Sequence, residues 1–360
     1  MTHTPEEVVG WAVERGLVGP GAVAVRLDGG LLNEVYRLSD AGHTLIVKHA
    51  PAAVASAPEI PLSPARLSFE GRALTAVPGL DLPRERVRTP ALLALDAEAA
   101  MLAMEDLGPR ADALAWLPAA SQEEAASMGA ALGGWLGALH RQTFGDAALA
   151  AAFDNGDVQR TRKLVQYDAV GPLLEARPAR GPAEVQRRRM AAAAASVLGE
   201  LLLARGMCLV MGDLWPRSLL IEGEGIGVID WELVHFGQPE QDLAHLVAHL
   251  WMAAHVGADG GGGRARALAD ALLTAWVPEL AHVLDERARQ ALARRCAVHA
   301  GAEILVRAAG PFVQGYLYAG VPTAMVEEAV DFAVGQMSGG EGVGLFTGIA
   351  AFEALVDGAG

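Results

Sequence analysis

The stretch 209–243, LVMGDLWPRSLLIEGEGIGVIDWELVHFGQPEQDL, decides how this chain is read. Two short apolar runs, LLIEG and GIGVID, flank a glycine turn and predict a pair of short strands. A loop holding Asp213 precedes them, and Asp230 and Glu232 follow. Carboxylates at the ends of buried strands are costly unless they meet a cation, a hydrogen-bond donor or a substrate. Phosphoryl transfer uses such a pair. One Asp accepts or orients the attacking hydroxyl, and a second, at a hairpin end, holds the magnesium ion that bridges the phosphates.

Working upstream, AVAVRL (22–27), LLNEVYRLS (31–39) and TLIVKHA (44–50) read as antiparallel strands turning at Gly29-Gly30 and Ala41-Gly42. The Gly29-Gly30 turn is placed to cover phosphates, and Lys48 closes the next strand, where an ammonium reaches them. Of 28 basic residues only Lys48 and Lys163 are lysines. A lysine kept in so arginine-rich a chain has a reason, because the two cations differ in shape, hydration and pKa tunability. Neither lysine follows a glycine, which excludes a P-loop. Residues 51–62, rich in Ala and Pro, read as a loop. A helix over 63–77, with Ser63 as its cap, carries Glu70 where it can pair with Lys48.

Two more strands and a connector span 89–109. Most of 120–205 and 240–335 has helical spacing, and 4–17 reads as a short helix capped by Thr4. Strand-rich then helix-rich order predicts an α+β fold, not a doubly wound sheet. His245, His249 and His255 read as half-exposed polar residues on an amphipathic helix, since Leu246 stands where a zinc-binding HExxH motif needs Glu. Asp242 reads as the N-cap of that helix. The Gly-rich stretch 339–344 reads as a loop, not a dinucleotide fingerprint.

The whole chain has 360 residues, 52% hydrophobic and 20% charged, which excludes disorder as its general state. A net charge of −15 argues against a broad basic face for nucleic acid and favours a cationic small molecule. Cys208 and Cys296 are too few for a disulfide framework. No apolar run reaches the ~20 residues of a membrane span, and the acidic start is unlike a signal peptide. A soluble, cytoplasmic protein is expected, without nucleic-acid or membrane partners and of open oligomeric state.

These motifs resemble the aminoglycoside-phosphotransferase and choline-kinase-like superfamily. MGDLWPRSLL is similar to its HGDLHxGN motif, VIDWELVHFGQPEQDLA to its IDWExxxxGxPxxDLA run, and MLAMEDLG to its hinge strand. The resemblance implies a two-lobed protein-kinase-like fold, with a small antiparallel-sheet N-lobe (1–103), a hinge (104–108) and a larger, mainly helical C-lobe (109–360). It implies ATP and Mg2+ as cofactors and phosphorylation of a small-molecule hydroxyl. Asp213 would be the catalytic base, with Asp230, Ser218 and Glu232 on the metal. Lys48 would meet the α/β-phosphates, held by Glu70, under Asn33 and the Gly29-Gly30 turn. The backbone of Glu105 and Leu107 would meet adenine, with Met104 behind the ring.

Three features resemble methylthioribose kinases: Ser218, the Asp230-x-Glu232 pair, and HAGAEILVRAAG at 299–310, where Arg307 is the implied substrate contact. Met211 departs from the motif's His, Trp215 from its second His, and Val306 from a second Arg. The acceptor is therefore left between a methylthioribose-like sugar and an aminoglycoside-like amino alcohol. The alternative is a nucleotide-binding pseudokinase without turnover.

Overall fold

The structure, a computed structural model, describes residues 3–27, 32–54, 57–313 and 315–339. The Gly29-Gly30 turn lies outside them, as does nearly all of 339–344. The N-terminal region holds α1 (Pro5–Glu14), β1 (Val23–Leu27), β2 (Glu34–Asp40), β3 (His43–His49), β4 (Ala53–Val54), β5 (Ala57–Pro61), α2 (Arg66–Ala76), β6 (Val87–Arg88), β7 (Leu92–Asp96) and β8 (Met101–Glu105). After β9 (Ala111–Asp112) come α3 (Ala113–Trp116), α4 (Gln122–Gln142), α5 (Ala147–Ala152), α6 (Gly156–Arg162), α7 (Val170–Glu175) and α8 (Pro182–Leu203). Then follow β10 (Cys208–Val210), β11 (Leu219–Glu222), β12 (Gly225–Val228) and β13 (His235–Gly237). Four helices complete the described chain: α9 (Glu240–His255), α10 (Arg264–Ala281), α11 (Glu286–Ala309) and α12 (Thr323–Ser338). The fold is α+β, as the order of elements predicts.

An antiparallel sheet of order β1-β2-β3-β8-β7 forms the N-terminal region. Period-2 alternation sends Leu45, Val47, Met101 and Ala103 to one face, where they pack with Val8 and Trp11 of α1. Leu102 and Met104 point the other way, into the main core. Lys48 shares that second face, toward α2, because β3 places it between Val35 and Leu102. The Ala- and Pro-rich 51–62 segment is not wholly loop: β4 and β5 pair within it. The helix predicted from Ser63 starts at Arg66, and Ser63 makes no side-chain cap.

In the helical region, α4 opens with a Ser121/Glu124 capping box and lies along α10. Glycines let the two backbones touch. A Cβ at Gly133 would stand 2.2 Å from the Leu272 carbonyl oxygen, and one at Gly129 2.1 Å from that of Leu268. Gly133→Ala is therefore expected to destabilise the fold by about 1–3 kcal/mol or more, since both clashing atoms are backbone. A urea midpoint unchanged from wild type would refute that packing. Among the described residues no helix is long and apolar enough to cross a membrane.

Candidate active site

Lys48, Glu70 and Asp230 meet although they are far apart in the chain. The Lys48 Nζ donates to Glu70 Oε1 at 2.7 Å and to Asp230 Oδ1 at 2.6 Å. Burial disfavours the ammonium, but Asp230 and Glu70 outweigh it and raise the Lys48 pKa above its ordinary value. Glu70 is fully buried and also accepts the Trp231 N–H at 3.3 Å. Burial lifts the Glu70 pKa, against the pull of Lys48. Its buried Oε2 accepts no hydrogen bond among the described residues. Asp230 adopts a left-handed backbone (φ 66°), and its side chain is 35% exposed. That conformation turns the chain sharply after β12 and holds the carboxylate at the cleft.

Arg66, one turn before Glu70 on the same helix face, was not singled out from sequence. It is fully buried. Its guanidinium donates to Glu232 Oε2 (2.8 Å), to Asn33 Oδ1 (2.9 Å) and to the carbonyls of Leu32, Pro51, Leu62 and Ser63. Asn33 and Glu232 thus hang from one cation. Burial pushes the Glu232 carboxyl up to about 7, with Lys48 and Arg66 pulling the other way. Nothing local marks Arg66 in the sequence, where an arginine on a helix face is ordinary. Ser218 is buried, and its hydroxyl donates to the Trp215 carbonyl at 2.8 Å and accepts the Trp215 N–H at 3.1 Å.

The Asp213 loop is braced from α9. Asp242 accepts the N–H groups of Met211 (2.9 Å) and Gly212 (2.7 Å) and touches His140 Nε2 at 3.1 Å. His140 in turn accepts the Trp276 indole N–H at 3.0 Å. The loop that lacks the usual His is held through its backbone instead. Asp242 is therefore not the N-cap read from sequence: α9 starts two residues earlier, and its N-cap position, Pro239, makes no side-chain bond. Gly212 has φ 83°, and a Cβ there would lie 2.4 Å from the Leu233 carbonyl oxygen.

Asp213 Oδ1 contacts Arg162 Nη1 and His245 Nε2, both at 3.2 Å. Arg162 Nη2 donates to His245 Nδ1 at 2.9 Å. Because a guanidinium only donates, His245 must carry its proton on Nε2 and give it to Asp213. His299 Nε2 also meets His245 Nδ1, at 3.3 Å, and the Tyr167 hydroxyl donates to His299 Nδ1 at 2.6 Å. Burial alone would raise the Asp213 pKa, but the His245 bond and the Arg162 charge hold it well below the usual carboxylate range. The half-exposed placement expected for His245 and His249 is wrong: both are fully buried. The hydrogen-bond partners on α6, α11 and the Asp213 loop come from distant segments, and they let α9 bury polar residues all round. His255 is half-buried, as read, and meets the Tyr318 hydroxyl at 2.8 Å.

Glu303 and Tyr316 complete the cluster. His249 meets Glu303 Oε1 at 3.1 Å and the Tyr316 hydroxyl at 2.7 Å, and Arg307 Nε donates to Glu303 Oε1 at 2.7 Å. Burial and the Arg307 charge depress the His249 pKa to about 3, against the pull of Glu303. A histidine depressed in the fold but ordinary when unfolded adds stability that is lost as pH falls below the unfolded value, near 6.5. His249 is expected to cost about 1 kcal/mol between pH 6.5 and 5.5. Chemical denaturation at the two pH values checks this, with His249→Gln reducing the dependence while other buried histidines of lowered pKa, His235 and His299, keep their share. A wild-type stability that rises on acidification would refute it.

Asn33, Asp213, Asp230, Glu232, Glu303 and Arg307 share one cleft of about 1100 Å3, including its mouth. That is ample for a small ligand. Met104 is buried behind the sheet's inner face, and the Glu105 N–H is committed to the Ala91 carbonyl at 2.9 Å. Leu107 packs over Gly227, and Arg37 ties Asp106 to β2 at 2.7 Å. These connector residues do not line that cleft.

A buried lysine on a glutamate, an aspartate after a hairpin and a braced aspartate opposite them, between a sheet and a helical region, define a phosphotransferase of the small-molecule kinase class. Residues 23–283 match the phosphotransferase enzyme family, APH, and the chain belongs to that family. It is 26% identical over 258 residues to a 4-hydroxytryptamine kinase of Psilocybe cyanescens, covering 66% of this chain and 69% of the other. In fold it is similar to choline kinase from Cryptosporidium parvum Iowa II (TM-score 0.56, 11% identity, 92% and 95% covered). It is also similar to the APH(2")-IIa protein of a gentamicin complex (TM-score 0.53, 13% identity, 96% and 99% covered).

Proposed function

We propose that this protein transfers the γ-phosphate of ATP to a hydroxyl of a small molecule, assisted by Mg2+. The observation that carries the reading is the buried Lys48–Glu70 pair joined to Asp230 at 2.6 Å. With it goes Asp213, held on the same cleft by Arg162 and His245. Residues 1–103 and 109–360 act as two lobes about a 104–108 hinge, where the Glu105 and Leu107 backbone meets adenine beside Met104. Lys48 holds the α/β-phosphates in the orientation set by Glu70. Asn33, anchored on Arg66, lies over them.

The donor set fits a hard divalent cation. Asp230 presents a carboxylate at the cleft with one oxygen outside the Lys48 bond, and Glu232 lines the same wall. Ser218, engaged with Trp215, would join them by turning its hydroxyl. Bound there, the ion neutralises phosphate charge. Asp213 orients the acceptor hydroxyl and receives its proton. Its lowered basicity suits orientation more than early proton removal, as a loose phosphoryl-transfer transition state requires. The acceptor hydroxyl sits on a small molecule, as the kinase names of similar proteins suggest.

Asp230→Asn is expected to weaken Mg2+-dependent ATP binding by about tenfold or more while leaving the metal-free affinity nearly unchanged. Calorimetric titration with and without Mg2+ checks it. A variant that titrates like wild type in both would remove Asp230 from the metal site.

A further inference from the structure

We propose that the acceptor carries its hydroxyl on a planar, apolar body without positive charge, and presents a carboxylate or similar anionic group to Arg307. This rests on the phosphotransferase reading above. The chain's charge of −15 is not carried in the cleft. Each carboxylate lining it already faces a cation of the protein: Asp230 faces Lys48, Glu232 faces Arg66, Asp213 faces Arg162 and Glu303 faces Arg307. An ammonium-bearing acceptor would find no carboxylate of its own there and would have to share one with the protein cation already on it, against the repulsion of that like charge.

The other means of holding a cation is an aromatic cage. The cage is present, and the protein's own guanidinium fills it. The Arg307 guanidinium carbon lies 5.3 Å from the Phe312 ring centroid and 5.5 Å from those of Trp215 and Tyr316. Arg217 lies over Trp215 and Tyr316 as well, at 5.7 and 5.4 Å. The rest of the lining is mostly apolar, with Val158, Val165, Leu233 and Val306 beside the Trp215 and Phe312 rings and Thr161 and Gln166 as uncharged polar groups, a surface for a flat apolar body.

Arg307 supplies the polar end. Its Nε is committed to Glu303, while its two terminal nitrogens make no hydrogen bond among the described residues. The three surrounding rings and the Glu303 bond restrain the guanidinium, and its two terminal nitrogens can give a carboxylate two parallel bonds. Arg162 offers nothing comparable, since its nitrogens are engaged by Gln166, Gly212, Asp213 and His245.

Three probes share a hydroxylated ring and differ in charge: 4-hydroxyphenylacetate (anionic), tyrosol (neutral) and tyramine (cationic). Each is titrated calorimetrically into the full chain saturated with Mg2+ and a non-hydrolysable ATP analogue, beside the aminoglycoside kanamycin. The expected order is acid, then tyrosol, then tyramine, with about tenfold between acid and tyramine, and kanamycin weakest. Arg307→Met is expected to bring the acid down to the affinity of tyrosol. Arg307→Lys, which keeps the charge and loses the fork, should recover only part of the difference. Tightest binding of tyramine or kanamycin would overturn the proposal. So would equal affinities, or no binding of any ring probe while the nucleotide analogue still binds. Failure of the nucleotide analogue itself to bind would instead overturn the phosphotransferase reading, and the inference with it.

Discussion

Asp213→Asn is expected to lower kcat by about 10²–10⁴-fold, with ATP affinity nearly unchanged. The amide keeps the size of the side chain and removes the charge that receives the acceptor proton. It also meets the wrong partners. Arg162 and His245 both donate to Asp213 Oδ1, and an amide NH2 turned toward them would face two donors. The variant therefore also tests the support. His245→Gln, which keeps a donor but breaks the Tyr167–His299–His245 line, is expected to have a smaller effect on kcat. Single-turnover kinetics with ATP and an accepted hydroxyl compound give the numbers. Equal turnover in wild type and Asp213→Asn would remove Asp213 from the chemistry. No turnover in the wild type with any acceptor, alongside tight nucleotide binding, would favour the pseudokinase alternative.

Arg66→Met is expected to destabilise the protein by about 3–5 kcal/mol. Methionine has a similar reach and fills the space, so the loss is electrostatic. Glu232 would keep its burial and lose its nearest cation, while Asn33 and four backbone carbonyls would lose a donor. Adding Glu232→Gln to Arg66→Met is expected to recover a substantial part of that loss, because it removes the stranded charge. Glu232→Gln alone should be mild, since burial already pushes that carboxyl up to about 7. Urea midpoints for the four proteins close the cycle. A loss below about 1 kcal/mol for Arg66→Met would mean that the pair makes little net contribution. A double variant no better than Arg66→Met alone would place the cost in the lost carbonyl contacts.

Charged residues interrupting apolar runs were legible. Lys48 at the end of a strand and Asp230 after a hairpin each sit where burial demands a partner, and the spacing alone put Glu70 on the following helix. Arg66 lies on that same helix but carried no such mark, because an arginine on a helix surface is ordinary until the chain closes over it. Arg162, His299 and Glu303 were missed for a stronger reason. They reach Asp213 and His245 across 51, 54 and 58 positions, and nothing local announces such a meeting. His245 and His249 were misplaced because a helix with polar residues at intervals reads as a surface helix.

The α+β order, the carboxylates Asp213 and Asp230 and the strand-end Lys48 were readable from the chain. These follow from strand periodicity and from the cost of burying charge, both of which act over a few residues. Only the packed chain shows which cation Asp213, Glu232 and Glu303 meet, that Asp242 braces the Asp213 loop, and that Arg307 fills its own aromatic cage. Those are contacts between α2, α6, α9 and α11. Their geometry depends on how whole helices pack, and helix packing is set by the summed burial of many apolar side chains, not by the polar residues that end up touching.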